Sequence, residues 1–248
     1  VGFSMFCIVD RLVEGWDKLT TGSKVGWILG LVYLFVFLFL LAGKASILGA
    51  IFILVCGTFL FFARRRKLFH AICLTTAILI AVSLLVYSLP IVRERFLATF
   101  GFKPTSMWVY GDPNSTNPAS EARLVKWQSG LRIVRDNWLI GVGQGDVQDE
   151  LIARYRDVGF ELGVSERFNA HNQYLQTWIG SGLVGLVLFL FGIFSGIRKS
   201  LQTEDYLYLA FLTFFSINCL TESVLERQYG VLFYSLFGCL LFSRKELV

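Results

Sequence analysis

Six apolar runs, each close to the length of a bilayer crossing, limit what this chain can fold into. They are Val25–Ala42, Ala45–Ala63, Leu68–Leu89, Tyr174–Ile197, Tyr206–Leu220 and Gly230–Phe242. A helix needs about 20 mostly apolar residues to cross the hydrocarbon of a membrane. The last two runs are shorter, which fits a crossing with little tilt or one begun in the interface. Hydrophobic residues make up 55% of the chain and charged residues only 17%, the balance of a membrane protein rather than a soluble one. The expected fold class is all-α, a polytopic membrane helix bundle with about six transmembrane helices.

In such a chain the net charge of +5 is read by position and is no sign of nucleic-acid binding. Arg64-Arg65-Arg66-Lys67 sits between the second and third runs and marks a cytoplasmic turn. Alternation then puts Lys18, Lys24, Arg198-Lys199 and Arg244-Lys245 on the same side. The long polar segment from Pro90 to Ala170 falls on the outer side; its ten basic and ten acidic residues cancel. The expected organisation is residues 1–89 as N-terminal transmembrane helices, 90–170 as a large outer loop and 171–248 as C-terminal transmembrane helices. No basic, apolar and small-residue regions follow one another as in a signal peptide. The first residue is expected to lie inside a longer protein, with Val1–Val13 the remnant of a further helix.

The five cysteines are scattered, mostly inside the apolar runs, without metal-ligand spacing or a disulfide framework. With only two histidines, no metal site and no cofactor are expected.

Within the outer segment, Gly111–Pro118 reads as a loop. Asn117 and Pro118 read as the cap and first position of a helix running to about Asn137. Leu124, Trp127, Leu131, Val134 and Trp138 form an apolar stripe at helical spacing, expected to face the membrane interface or the bundle. Arg123 and Arg135 flank that stripe symmetrically, and periodicity does not choose between them. Gly141-Val142-Gly143-Gln144-Gly145 has the alternation of a phosphate-cradling loop, though a tight reversal after the helix is the plainer reading. A short surface helix is expected from Asp146 to Phe160.

His171 stands where the polar segment becomes the fourth apolar run. An ionisable group at such a boundary is a functional candidate by default, against the plainer reading of an interfacial histidine bonded to headgroups. If Asn169 caps the helix, His171 lies in its first turn, and a neutral imidazole there can take a proton as a general base. Lys44 interrupts the outer turn between the first two runs. Glu222, Glu226 and Arg227 occupy the outer turn before the last. Snorkelling is the default explanation for Lys44, and the acidic groups are read either as orienting His171 or an arginine, or as simply solvated. Gly192 and Gly196 allow close helix packing in the fourth run.

Ala170-His171-Asn172-Gln173-Tyr174-Leu175, followed by Gly180-Ser181-Gly182-Leu183-Val184-Gly185-Leu186, resembles the HN-x-Y-L … G-L-x-G-L signature of the O-antigen ligase and polymerase superfamily. Arg123–Trp127 with Trp138–Gly143, and Leu225–Gly230, resemble further segments in the family's order. The resemblance implies a GT-C-like, metal-independent, inverting glycosyltransferase of the bacterial inner membrane with its site facing the periplasm. The implied donor is a glycan on undecaprenyl pyrophosphate. The implied acceptor is the lipid A-core for a ligase, or a second lipid-linked glycan for a polymerase; nothing in the residues separates the two. The resemblance makes His171 and Arg123 the catalytic candidates. Lys44, Arg135, Asn172 and Glu226 are the candidate substrate-binding groups. The family commonly has Ser-Arg where this chain has Gly43-Lys44, which keeps the charge and loses the bidentate fork. Family members usually have more spans, so the chain resembles a C-terminal half. A transporter subunit is the reading from another class. It is disfavoured because the apolar runs carry almost no charge at mid-span.

Overall fold

The computed structural model describes residues 1–40, 118–244 and scattered positions between 49 and 88. The expected spans Ala45–Ala63 and Leu68–Leu89 fall largely outside the described residues, and Lys44 and residues 111–117 entirely so. Among the described residues every regular element is helical. In chain order these are α1 (Gly2–Gly15), α2 (Thr21–Leu40), α3 (Pro118–Asp136), α4 (Val147–Asp157), α5 (Glu161–Ser165), α6 (Gln173–Gln202), α7 (Tyr206–Cys219) and α8 (Gln228–Ser243). Two of them, α2 and α6, are long and apolar enough to cross a membrane. The apolar α7 and α8 are shorter, at 14 and 16 residues.

Thr20 starts α2 by accepting a hydrogen bond at Oγ1 from the Ser23 amide, 3.3 Å, the usual satisfaction of an orphan helix donor. Beyond that cap the helix exposes Val25, Trp27, Ile28, Leu29, Tyr33 and Phe37 around most of its circumference. A helix that is apolar all round and yet unburied is one whose solvent is lipid.

The chain forms two compact units, one of Val1–Leu97, Lys199–Ile217 and Leu241–Val248, the other of Ala98–Arg198 and Asn218–Leu240. In the first, α1 lies antiparallel to α7. Gly2 makes room for the Phe214 ring, Phe3 meets Phe211 edge-on at 5.3 Å, and Phe6 meets Phe214 at 5.7 Å. At the far end Arg244 binds Asp10 at 2.9 Å and approaches Asp205 at 3.6 Å. Asp205 in turn caps α7 by accepting from the Tyr208 amide. The Lys199 ammonium sits 3.4 Å over the Phe242 ring. Lys199 and Arg244 therefore occupy the same end of this unit.

The second unit has its own core, in which α3, α4 and the start of α6 meet. Ala122, Ile133, Val134, Val147, Leu151, Tyr155, Phe160, Ala170, Leu175 and Ile179 are buried together. Gly130 lets α3 approach α6 closely, because a Cβ there would press on Leu175 and Ile179. The buried face of α3 thus runs through Ala122, Lys126, Ser129, Gly130, Ile133 and Val134. The expected stripe and this buried face share only Val134: Leu131 is exposed, and Trp138 lies beyond the helix end and is also exposed.

The fourth apolar run is not one continuous helix. Gly182 has φ +63° and ψ −166°, a non-helical conformation inside α6, in a region open essentially to glycine alone. The Ile179 and Gly180 carbonyls instead accept from the Val142 and Gly143 amides, at 2.9 and 3.0 Å. The Leu183 amide donates to the Trp138 carbonyl at 2.9 Å, and Trp178 Nε1 donates to the same oxygen. Gln144 Nε2 reaches Ser181 Oγ at 2.9 Å. The turn after α3 is stitched into the break, which meets the requirement that backbone groups at membrane depth be satisfied by protein. From Leu183 to Ile197, before Arg198-Lys199, the remaining apolar helix is about 22 Å long at 1.5 Å per residue, most of the thickness of a bilayer's hydrocarbon.

Candidate active site

The backbone around His171 is held at every amide. The Ala170 amide donates to Gln176 Oε1 (3.0 Å), the His171 amide to Asn169 Oδ1 (3.0 Å) and the Asn172 amide to Ser223 Oγ (3.3 Å). Asn172 Oδ1 accepts from the Leu175 amide at 3.0 Å, so Asn172 is the N-cap of α6. This differs from the expectation that Asn169 caps the helix. Asn169 forms a local turn instead, and His171 stands just before the cap rather than in the first turn. His171 adopts φ +47°, a left-handed conformation that costs a β-carbon-bearing residue on the order of 1 kcal/mol.

The turn before α8 is tied to the same helix start. The Leu225 amide donates to Gln173 Oε1 at 2.7 Å, and Ser223 is buried against Asn172. These two bonds bring Glu222 to His171, with Nδ1 of the imidazole 3.2 Å from Oε2 of the carboxylate. The hydrogen bond from His171 holds the Glu222 carboxyl below the ordinary carboxylate range. Partial burial opposes this, and the charges of Arg123 and Arg227 assist it. A carboxylate at Nδ1 favours the tautomer protonated there and leaves Nε2 as the acceptor. Burial raises the Glu226 carboxyl, offset by a hydrogen bond with Gln176.

Cations approach from α3. Lys126 is buried, with its ammonium 3.8 Å over the Phe168 ring. That ring and the His171 imidazole form a T-shaped pair with centroids 5.9 Å apart. Burial lowers the Lys126 pKa to about 8, the charge of Arg123 adding to the effect and that of Glu222 opposing it. Arg123 lies one turn before Lys126 and acts electrostatically on both Lys126 and Glu222. One imidazole, two carboxylates and two cations thus gather where α3, the start of α6 and the 220–227 turn meet.

Of the residues singled out from the sequence, His171, Arg123 and Glu226 belong to this cluster. Asn172 adjoins it as the helix cap, with its Oδ1 already engaged. Arg135 is exposed and sits about 180° round α3 from Lys126 at 100° per residue. Lys44 lies outside the described residues. Lys126 was missed. Its signal was a lysine three residues after Arg123, on the same helical face and flanked by apolar residues. The glycine alternation at 141–145 is a reversal: the Val142 and Gly143 amides are spent on α6 carbonyls and are closed to a phosphate. No group of three or more metal-ligating side chains occurs among the described residues.

The model of the O-antigen ligase family matches residues 29–190, more than half of the chain and a range that holds Arg123, Lys126 and His171. No curated protein matches. The resemblance carried by the His-Asn motif and the glycines after it is thereby confirmed. The chain belongs to the O-antigen ligase family, membrane-embedded, glycosyltransferase-like ligases and polymerases of bacteria.

Proposed function

We propose that the chain transfers a glycan from undecaprenyl pyrophosphate to an acceptor hydroxyl at the periplasmic face of the inner membrane, as an O-antigen ligase acting on the lipid A-core. The observation that carries this reading is the contact of His171 Nδ1 with Glu222 Oε2 at 3.2 Å, beside the charges of Arg123 and Lys126. Nε2 of His171 takes the proton of the acceptor hydroxyl. The oxygen attacks the anomeric carbon from the face opposite the diphosphate, the bond from that carbon to the diphosphate oxygen breaks, and configuration inverts. Arg123 and Lys126 neutralise the charge that collects on the leaving diphosphate, the largest electrostatic demand of the step. Lys44 serves the same diphosphate, and Glu226 faces the acceptor. Glu222 is a positioning residue that orients the imidazole. The fold that fits this reading is a GT-C-like bundle of about six spans.

The break at Gly182 is the kind of feature a transporter uses for ion binding. Here the Ile179 and Gly180 carbonyls that would coordinate an ion are already bonded to Val142 and Gly143, which favours an enzyme over a transporter. A deletion strain tests the assignment: loss of a ligase leaves lipid-linked polymer, whereas loss of a polymerase leaves single repeats. Accumulated single repeats would move the chain to the polymerase reading, and an unchanged glycan profile would remove both.

Lys126 supplies a pH signature. Its free-state pKa is about 8, and only the ammonium attracts a diphosphate. Donor affinity is therefore flat below pH 8 and falls toward tenfold per pH unit above it, until the pKa of the bound state is reached. Lys126→Met weakens binding below pH 8 and removes the slope. Titration of lipid-linked diphosphate donor into the protein in nanodiscs reads both effects. A slope that persists in the variant would exclude Lys126 from the diphosphate site.

A further inference from the structure

We infer that the turn Trp138-Leu139-Ile140 inserts into the outer boundary of the bilayer and sets the height of the half-helix that carries His171. The three side chains are 54%, 46% and 77% exposed, an uninterrupted apolar tip between Asn137 and the glycine-rich reversal. Their backbone is not free to float. The Trp138 carbonyl accepts from the Leu183 amide, and Val142 and Gly143 bind the Ile179 and Gly180 carbonyls. The tip is thus locked level with Gly182, where the apolar part of α6 begins. Directly after that point α6 exposes Val184, Val187, Leu188, Phe191 and Phe194, so apolar surface begins on both elements at one depth. The apolar stretch from Leu183 to Ile197, which ends at Arg198-Lys199, is about 22 Å long at 1.5 Å per residue, shorter than the hydrocarbon thickness, which puts Gly182 and the tip just inside its outer edge. An indole, apolar in body with one polar N–H, is suited to the headgroup boundary. The occupant of this surface is lipid. A soluble partner would not account for the tip's registry with the end of a span.

The turn and the segment Gln173–Ser181 are held together by four hydrogen bonds between residues 138–144 and 178–183 that involve backbone on at least one side. Insertion of the tip therefore fixes how far His171 stands from the hydrocarbon. This inference rests on the membrane assignment and not on the transfer reaction, so loss of either leaves the other standing.

The test places an environment-sensitive NBD fluorophore on Ile140→Cys in the full chain, with the five native cysteines replaced by serine, in phosphatidylethanolamine–phosphatidylglycerol vesicles. The expected result is blue-shifted emission, quenching by lipid spin-labelled near the top of its acyl chain, and protection from aqueous iodide. Iodide quenching without lipid quenching would put the tip in water and overturn the inference. Protection from both quenchers would do the same, with protein as the occupant. Trp138→Phe in the otherwise native chain gives an independent reading should the cysteine-free protein not fold. The tryptophan emission quenched by brominated lipid drops in the variant, and an unchanged quenched fraction would contradict insertion.

Discussion

His171→Ala lowers the rate of glycan transfer by about 10³-fold, within the 10²–10⁴ range for loss of a positioned general base, and leaves donor affinity nearly unchanged. The separation of the two effects follows from where each group stands. The imidazole meets Glu222 at Nδ1, which leaves Nε2, in the proposed reaction, to the acceptor's proton and not to the diphosphate. In the same proposal the cations on α3 hold the diphosphate, whether or not the imidazole is present. The local fold is expected to survive, because the amides of Ala170, His171 and Asn172 bond to Gln176, Asn169 and Ser223 and not to the imidazole. The left-handed φ at this position favours asparagine over alanine, so His171→Asn is the cleaner variant. It keeps the backbone preference, lacks the base, and shows the same loss of rate. Single-turnover transfer and donor titration in nanodiscs measure the two quantities. A variant that binds donor poorly and, once saturated, turns over normally would give His171 a binding role instead.

Gly182→Ala has the largest expected effect on stability, about 3–5 kcal/mol, as strain and lost hydrogen bonds combine. A Cβ at this position runs into the Leu139 carbonyl, and the φ/ψ pair is closed to alanine. The strain is relieved only if the turn withdraws, which releases the amides of Val142, Gly143 and Leu183 together. Hydrogen exchange at those three amides rises in the variant while that of the core around Leu151 and Tyr155 changes least. Transfer activity falls too, because the half-helix leading to His171 loses its support. Equal protection of all three amides in variant and parent would mean that the break does not depend on glycine.

Neither the break nor Lys126 was legible in the amino-acid order, for physical reasons. Every residue from Leu175 to Leu190 suits a continuous span, and a glycine in a membrane helix ordinarily signals close packing. The partner that opens the helix lies some forty residues upstream, and local pattern carries no trace of it. Lys126 was hidden by the apolar stripe of Leu124, Trp127, Leu131 and Val134. In a unit beside lipid an exposed leucine is cheap, so apolar periodicity stops marking the protein core, and the buried face turned out to carry a lysine. Asn169 and Asn172 are both good caps; only the bond to the Leu175 amide distinguishes them. By contrast, the helical class, α2, α7 and α8, and the two ends of α3 and α4 were legible to within a few residues. There, long apolar runs and capping residues agree with the tertiary structure. The pairing of His171 with the turn holding Glu222 and Glu226 was legible as one of two alternatives, orientation of His171 or an arginine against plain solvation, since the 50 residues between His171 and Glu222 leave their contact to packing.

The proposed chemistry requires His171 and Glu222 to act as one unit. Single-turnover transfer with the four members of the cycle formed by His171→Asn and Glu222→Gln measures this. Glu222→Gln alone lowers the rate, at most by about the 10³-fold that loss of the imidazole costs, because the base loses its orientation and its tautomer. In the His171→Asn background the same substitution changes nothing, because the group it orients is gone. Independent losses that multiply in the double variant would contradict the account and leave Glu222 and His171 as separate contributors.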